Sequence, residues 1–263
     1  MSPAVDSRMI DQQLIERARQ ILATSQRLAV LTGAGVSQES GVPTFRDALE
    51  GLWAQYDPMQ LATPQAFQQH PKRVWDWYEY RREKVRQAQP NPGHYALAAL
   101  GRRLPSLTLI TQNVDDLHER AGSTGLIRLH GSIAANKCSA ACRGEPTPVD
   151  VARLEWDRAG GPPPCPYCGR PVRPDVVWFG EMLPEAAIQA AIAASERADV
   201  MLVVGTSGVV TPAAHMPVIA KRAGAILIEV NPVASQITPM ADLWLPAPSG
   251  EALPRLVEAL GEA

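Results

Sequence analysis

The chain has 263 residues, 46% of them hydrophobic and 20% charged, and a formal net charge of −2. This is the composition of an ordinary soluble globular protein, either one large domain or a large domain with a smaller module. The mixed-sign charge gives no footprint for nucleic acid or an anionic membrane, and no apolar run approaches the roughly 20 residues needed to span a bilayer. The opening MSPAVDSRMIDQQ has no apolar secretory core, so a cytoplasmic location is expected.

Met9 to Ser25 places Ile10, Leu14, Ala18, Ile21 and Leu22 on one helical stripe. Leu28–Leu31 then reads as a buried strand. It enters LTGAGVSQESGVPTFRD (31–47), where Gly33 and Gly35 flank Ala34 and let a ligand approach with no Cβ in the way. Turns of this kind cradle phosphate on backbone N–H groups. The dinucleotide fingerprint is incomplete, because Gln38 stands where its third glycine belongs, so an ordinary strand-to-helix turn is the rival reading. Thr44-Phe45-Arg46-Asp47 adds a ring, a guanidinium and a carboxylate, costly equipment for a simple connection.

Pro71 to Gln87 reads as a helix that starts on Pro and is stopped by Pro90-Asn91-Pro92. Tyr78 and Arg81 share a face of it and can grip a carboxylate. The alternative makes Trp75 and Tyr78 a core stripe, with Arg81, Arg82 and Lys84 facing water. His94–Leu100 reads as a helix ended by Gly101, and Ser106–Val114 as a second buried strand. Asn113 and Asp115, just past that strand, can bind sugar hydroxyls or a carboxamide, or simply cap the next helix. Gly125–His130 is a short third strand, and His130 is either a structural histidine or a general base with a suitable pKa.

Cys138, Cys142, Cys165 and Cys168 lie in a Pro-rich insertion from Ala134 to about Pro174, spaced C-x3-C and C-x2-C. Two thiolate pairs make a closed structural zinc site; two disulfides are the rival, with nothing to suggest an oxidising compartment. The regular pattern resumes at Asp175–Phe179 and continues with a helix at Pro184–Ala198 and a strand at Val200–Val204. A helix at Pro212–Ala223, strands at Ala225–Val230 and Asp242–Leu245, and a helix at Glu251–Leu260 complete the chain. Strands separated by helices predict an α/β protein with a parallel sheet covered on both faces. Ligands bind such sheets beyond the carboxyl ends of the strands, where Gly33–Gly35, Gln112–Asp115, Gly205–Ser207 and Asn231 all belong.

Taken together, GAGVSQESGVPTFR (33–46), TQNVDDLH (111–118), LHG (129–131), the four cysteines, VVWFGE (176–181), GTS (205–207) and Asn231 resemble the sirtuin family of NAD-dependent protein-lysine deacylases. The resemblance implies a Rossmann-like large domain (residues 1–47, 106–133 and 175–263). It also implies a small domain made of a helical module (48–105) and a zinc module (134–174). The implied NAD cleft is lined by Gly33, Ala34, Gly35, Thr44, Phe45, Arg46 and Trp53, with Gln112, Asn113 and Asp115 at the nicotinamide ribose. Gly205, Thr206, Ser207, Asn231 and Ala247 would face the adenosine half. Val177, Trp178, Phe179 and Gly180 would hold an acyl-lysine peptide, and His130, with Asn113, would serve catalysis. One structural zinc would sit on the cysteines.

The desuccinylase and demalonylase branch carries Tyr-x-x-Arg, a small pocket residue and Thr before Phe, matched here by Tyr78 and Arg81, Ala62 and Thr44. The resemblance thus implies removal of succinyl and malonyl groups as well as acetyl. A plain deacetylase, an ADP-ribosyltransferase and a non-catalytic NAD-binding module are the alternatives. C-x3-C in place of C-x2-C, and Pro232-Val233 after Asn231, depart from the family pattern.

Overall fold

The computed structural model describes residues 11–43 and 57–261. Thr44, Phe45, Arg46 and Trp53 lie outside the described residues. Six strands form one parallel sheet: β1 (Leu28–Thr32), β2 (Leu107–Thr111), β3 (Ile127–Arg128), β6 (Val200–Val204), β7 (Ile226–Val230) and β8 (Leu243–Leu245). Their spatial order is β3-β2-β1-β6-β7-β8, so the direction of strand addition reverses beside β1. A crevice opens at such a switch point, beyond the carboxyl ends of the strands.

Both faces of the sheet are buried, and the sequence shows it by alternation. Leu28, Val30, Leu202, Val204 and Ile228 enter one core cluster, while Ala29, Leu31, Met201, Val203 and Leu227 enter another. The first cluster is closed by α1 (Gln12–Ala23), α6 (Pro92–Arg103) and α10 (Ser249–Ala259), the second by α8 (Glu185–Arg197) and α9 (Met216–Arg222). Each Leu or Val so buried contributes on the order of 1.5–3 kcal/mol, which is why short strands hold their place.

The intervening segments form two further clusters. Helices α3 (Pro58–Leu61), α4 (Pro64–Gln69) and α5 (Pro71–Gln87) pack Leu61, Phe67, Val74, Trp77 and Tyr78 against Ile133, Val176 and Trp178. An antiparallel pair, β4 (Gly131–Cys138) and β5 (Val172–Val176), brackets the cysteines, of which Cys138 ends β4, and packs in one cluster with Trp75 and Val149. Two short helices, α2 (Gly35–Gln38) and α7 (Leu117–Arg120), follow β1 and β2.

Three elements differ from expectation. The run Asp175–Phe179 does not resume the parallel pattern; the strand is Val172–Val176 and pairs with β4, leaving residues 177–180 as a loop. Gly101 does not end its helix, which runs to Arg103. Pro92 starts that helix at its first turn, because Asn91 and His94 form a reciprocal capping box. Pro212–Ala223 divides into a 3-10 turn, Ala213–His215, followed by α9.

Candidate active site

The crevice is a cleft of about 580 Å³ whose walls come from the sheet edge, the β5 loop and α5. Gly33, Ala34, Gly35, Gln112, Asn113, Asp115, Gly205, Thr206, Ser207 and Asn231 line it, as the sequence predicts. So do His130, Ala62, Tyr78, Arg81, Val177, Trp178, Phe179 and Gly180. Ala247 does not: it is 2% exposed, and its methyl belongs to the core beneath α10.

The glycines are required by close approach. A Cβ on Gly33 would come within 2.7 Å of the Thr206 Cβ, and one on Gly35 within 2.8 Å of the Gly205 oxygen. Gly205 has φ +58°, and a Cβ there would meet the Val36 nitrogen at 2.5 Å. The β1 and β6 turns therefore interlock, with Gly35 donating to the Gly205 oxygen at 2.9 Å. Side chains brace the same edge. Gln112 Nε2 donates to Thr206 Oγ1 at 3.1 Å, and Asn231 Nδ2 to the Thr206 oxygen at 3.0 Å. The floor left bare of side chains suits an extended phosphate-bearing ligand.

Below this floor lies a buried polar relay that the sequence reading missed. Asn91 N–H donates to His94 Nδ1 at 3.3 Å, so the neutral ring carries its proton on Nε2 and points it at Ser37 Oγ, 3.5 Å away. Ser37 accepts from Asn113 Nδ2 at 3.1 Å and donates to Asp115 Oδ2 at 2.9 Å. Asp115 also accepts from the Leu117 N–H at 3.1 Å. Burial pushes the Asp115 carboxyl pKa up, against the pull of those bonds. A second branch joins His118 Nε2, Thr32 and Thr111 at 3.1 and 2.9 Å. Burial holds His94 down to about 4 and His118 down to about 3, so both rings are neutral. The signal for Ser37 was its place in the glycine motif; His94 was visible only as a helix residue.

His130 lines the same cleft as Ser37, Asn113 and Asp115. Its Nδ1 lies 2.9 Å from the Gln112 carbonyl oxygen. A carbonyl only accepts, so Nδ1 carries the proton and Nε2 keeps a basic lone pair. Burial lowers the His130 pKa, the hydrogen bond opposing in part. The ring is thus a neutral base held in one tautomer.

On the opposite wall, the Val177 N–H donates to the His130 oxygen at 3.0 Å and the Phe179 N–H to the Ala62 oxygen at 2.9 Å. The loop is pinned by the Arg173–Glu181 ion pair at 2.5 Å and by Trp178 N–H donating to Glu181 Oε2 at 2.8 Å. Ala62 is buried. Tyr78 is also buried, and the Arg81 guanidinium lies 5.0 Å from the Trp77 ring centre and 5.5 Å from that of Tyr78. Arg81 is half-buried in the cleft wall against these rings, which counts against the solvated-charge reading for it.

The four cysteine Sγ atoms lie within 4.8 Å of one another, with Cys138–Cys168 at 3.5 Å and Cys142–Cys165 at 3.9 Å. Four thiolates around zinc at about 2.3 Å would sit roughly 3.8 Å apart, so this donor set fits zinc despite the extra residue in C-x3-C. All four are free of disulfides.

The model of the Sir2 family matches residues 33–212. The chain is 53% identical over 240 residues to NAD-dependent protein deacylase 1 of Pseudomonas aeruginosa, a match covering 90% of this chain and 96% of that one. Among solved structures, a Sir2 homolog–NAD complex superposes with a TM-score of 0.85 at 46% identity, covering 98% of this chain and 96% of that one. Sir2Af2 bound to a myristoylated histone peptide gives a TM-score of 0.75 at 35% identity, covering 95% of this chain and 97% of that one.

Proposed function

The chain belongs to the Sir2 family and is an NAD-dependent protein deacylase, and we propose that it favours acyl-lysines whose acyl chain ends in a carboxylate, succinyl and malonyl above acetyl. The observation that carries the acyl preference is the presence of Tyr78 and Arg81 in the wall of one cleft with Ala62 and His130. The small side chain of Ala62 leaves room for a longer chain. A guanidinium and a phenol then offer charge-assisted bonds to its distal carboxylate, each worth roughly 1.5–3 kcal/mol.

NAD supplies the ribose and the nicotinamide leaving group, and reaction with the acyl-lysine gives nicotinamide, free lysine and O-acyl-ADP-ribose. The protein's part is placement and proton transfer. Gly33, Ala34, Gly35, Gly205, Thr206, Ser207 and Asn231 form the floor for the dinucleotide. Gln112, Asn113 and Asp115 present an amide-rich edge to the nicotinamide and its ribose. His130 Nε2 takes the proton of a ribose hydroxyl. Val177 to Gly180 hold the peptide, as residues of a loop already fixed to both His130 and Ala62. The cysteines hold one structural zinc and leave it no open position.

The test is a kinetic panel of acetyl-, malonyl-, succinyl- and myristoyl-lysine peptides with NAD, following nicotinamide release. Higher kcat/KM for succinyl and malonyl supports the reading. A clear win for acetyl or myristoyl peptide ends it.

A further inference from the structure

The Tyr78 hydroxyl has one proton to donate, and its oxygen is already engaged as an acceptor. Its oxygen accepts from the Trp178 indole N–H at 2.9 Å in a buried contact. The Arg81 guanidinium lies against the same side chain, 5.5 Å from the phenol ring centre. Indole N–H and guanidinium groups donate and never accept. The phenolic proton therefore has to go to some third group. Burial raises the Tyr78 pKa, so that proton stays in place across the working range.

Trp178 is itself held firmly. The Arg173 guanidinium lies 3.3 Å from its ring centre, and the Phe67 ring packs at 5.2 Å. Its main-chain N–H and Arg173 both bind Glu181. Such a clamp fixes where the indole N–H points, and through it the rotation of the phenol.

We propose that the indole N–H of Trp178 is a positioning group for acyl selection: by occupying the Tyr78 oxygen, it turns the phenolic proton into the cleft beside Arg81, where a terminal carboxylate accepts it. This rests on the acidic-acyl reading given above. Trp178 then has two duties, since its backbone lies in the peptide-holding loop while its ring nitrogen orders the acyl end. Phenylalanine at this position keeps a ring and loses only the donor, leaving the phenol free to rotate.

The experiment is a double-mutant cycle on the ratio of kcat/KM for succinyl-lysine over acetyl-lysine peptide. Trp178→Phe is expected to lower the ratio roughly 3- to 10-fold, the value of a neutral hydrogen bond, chiefly through the KM of the succinyl peptide. In a Tyr78→Phe background the same change is expected to leave the ratio unmoved, because no phenolic proton remains to be aimed. A role limited to packing moves the ratio equally in both backgrounds, and that result, or an unchanged ratio in the single variant, overturns the proposal. A wild type with no succinyl preference overturns the acidic-acyl reading and this inference together; a wild-type preference with additive substitutions overturns the inference alone. Should Trp178→Phe not fold, the wild type still decides. Its indole N–H resonance, identified by its displacement in Tyr78→Phe, moves further downfield with succinyl than with acetyl peptide, and equal shifts refute the idea.

Discussion

His130 Nδ1 and the Gln112 carbonyl oxygen sit 2.9 Å apart, and this one contact decides which histidine nitrogen can act as a base. The oxygen belongs to the residue just past β2, so the sheet itself sets the tautomer. Burial lowers the His130 pKa from the ordinary 6.5, so the neutral ring persists to lower pH than for a free histidine. The acidic limb of kcat/KM is expected to have its midpoint below 6.5 and to disappear in His130→Ala. That variant loses about 10²–10⁴ in turnover, the usual cost of removing a general base, while NAD still binds by calorimetry. Near-wild-type deacylation by it would remove His130 from the mechanism.

The zinc site ties the small module to the catalytic wall. Cys138 ends β4, the strand that begins at Gly131 beside His130, and β5 leads from the second cysteine pair into the Val177–Gly180 loop. Structural zinc contributes on the order of 10 kcal/mol in small modules. One zinc per chain is expected by elemental analysis, and Cys165→Ser is expected to lose it together with most activity. Full activity in a metal-free protein contradicts this.

The sheet and its active edge were legible in the sequence because both are local. Alternating apolar runs name the strands, and glycines that cannot carry a Cβ name the turns. The small module was harder to read. A strand that pairs antiparallel with a partner some forty residues upstream has the same apolar look as one in the main sheet, so the pattern points to a main-sheet strand at Asp175–Phe179 where the chain instead pairs Val172–Val176 with β4. The Ser37–His94–Asp115 relay was hidden for a different reason. His94 reads as an ordinary helix residue until the fold carries α6 against the glycine turn, and only tertiary distance shows the contact. Ala247 follows only from the family resemblance, and its side chain is buried in the core with those of α10.

The glycine turns give a prediction separable from chemistry. Gly205→Ala must place a Cβ near 2.5 Å from backbone at φ +58°, and Gly33→Ala forces Thr206 aside. A Cβ at either site meets backbone, the Gly205 oxygen at 2.8 Å from Gly33, but Gly205 adds the closer contact and a left-handed φ, so Gly205→Ala is expected to be the worse of the two. Strain of this kind costs roughly 1–3 kcal/mol, and NAD affinity, read by calorimetry, is expected to fall at least tenfold in both. Unchanged NAD affinity in a folded Gly205→Ala protein would mean that the interlocked turns do not shape the floor.

The two buried histidines link stability to pH. His94 and His118 are held down to about 4 and about 3, whereas in the unfolded chain both return to about 6.5. Between those limits the unfolded state binds more protons, so stability rises with pH. It is fully present above about 6.5 and is lost as pH falls toward 4, at up to about 1.4 kcal/mol per pH unit for each ring. Urea melts from pH 7 to pH 4.5 are expected to show this slope, and His118→Gln to flatten it. An equal slope in the variant assigns the loss to other groups.

Arg81 gives the sharpest test of acyl selection. Its guanidinium lies against Trp77 and Tyr78 inside the cleft wall, and burial lowers its pKa. A partly desolvated cation recovers free energy when an anion arrives, which a neutral acetyl group cannot supply. Arg81→Met keeps length and apolar volume while removing the charge. The succinyl-to-acetyl ratio of kcat/KM is expected to fall by roughly 10- to 150-fold, the equivalent of one charged hydrogen bond of about 1.5–3 kcal/mol. Arg81→Lys retains charge without the planar fork, and an intermediate ratio is expected from it. If Met and Lys lower both substrates equally, Arg81 supports the wall of the cleft and does not read the acyl end.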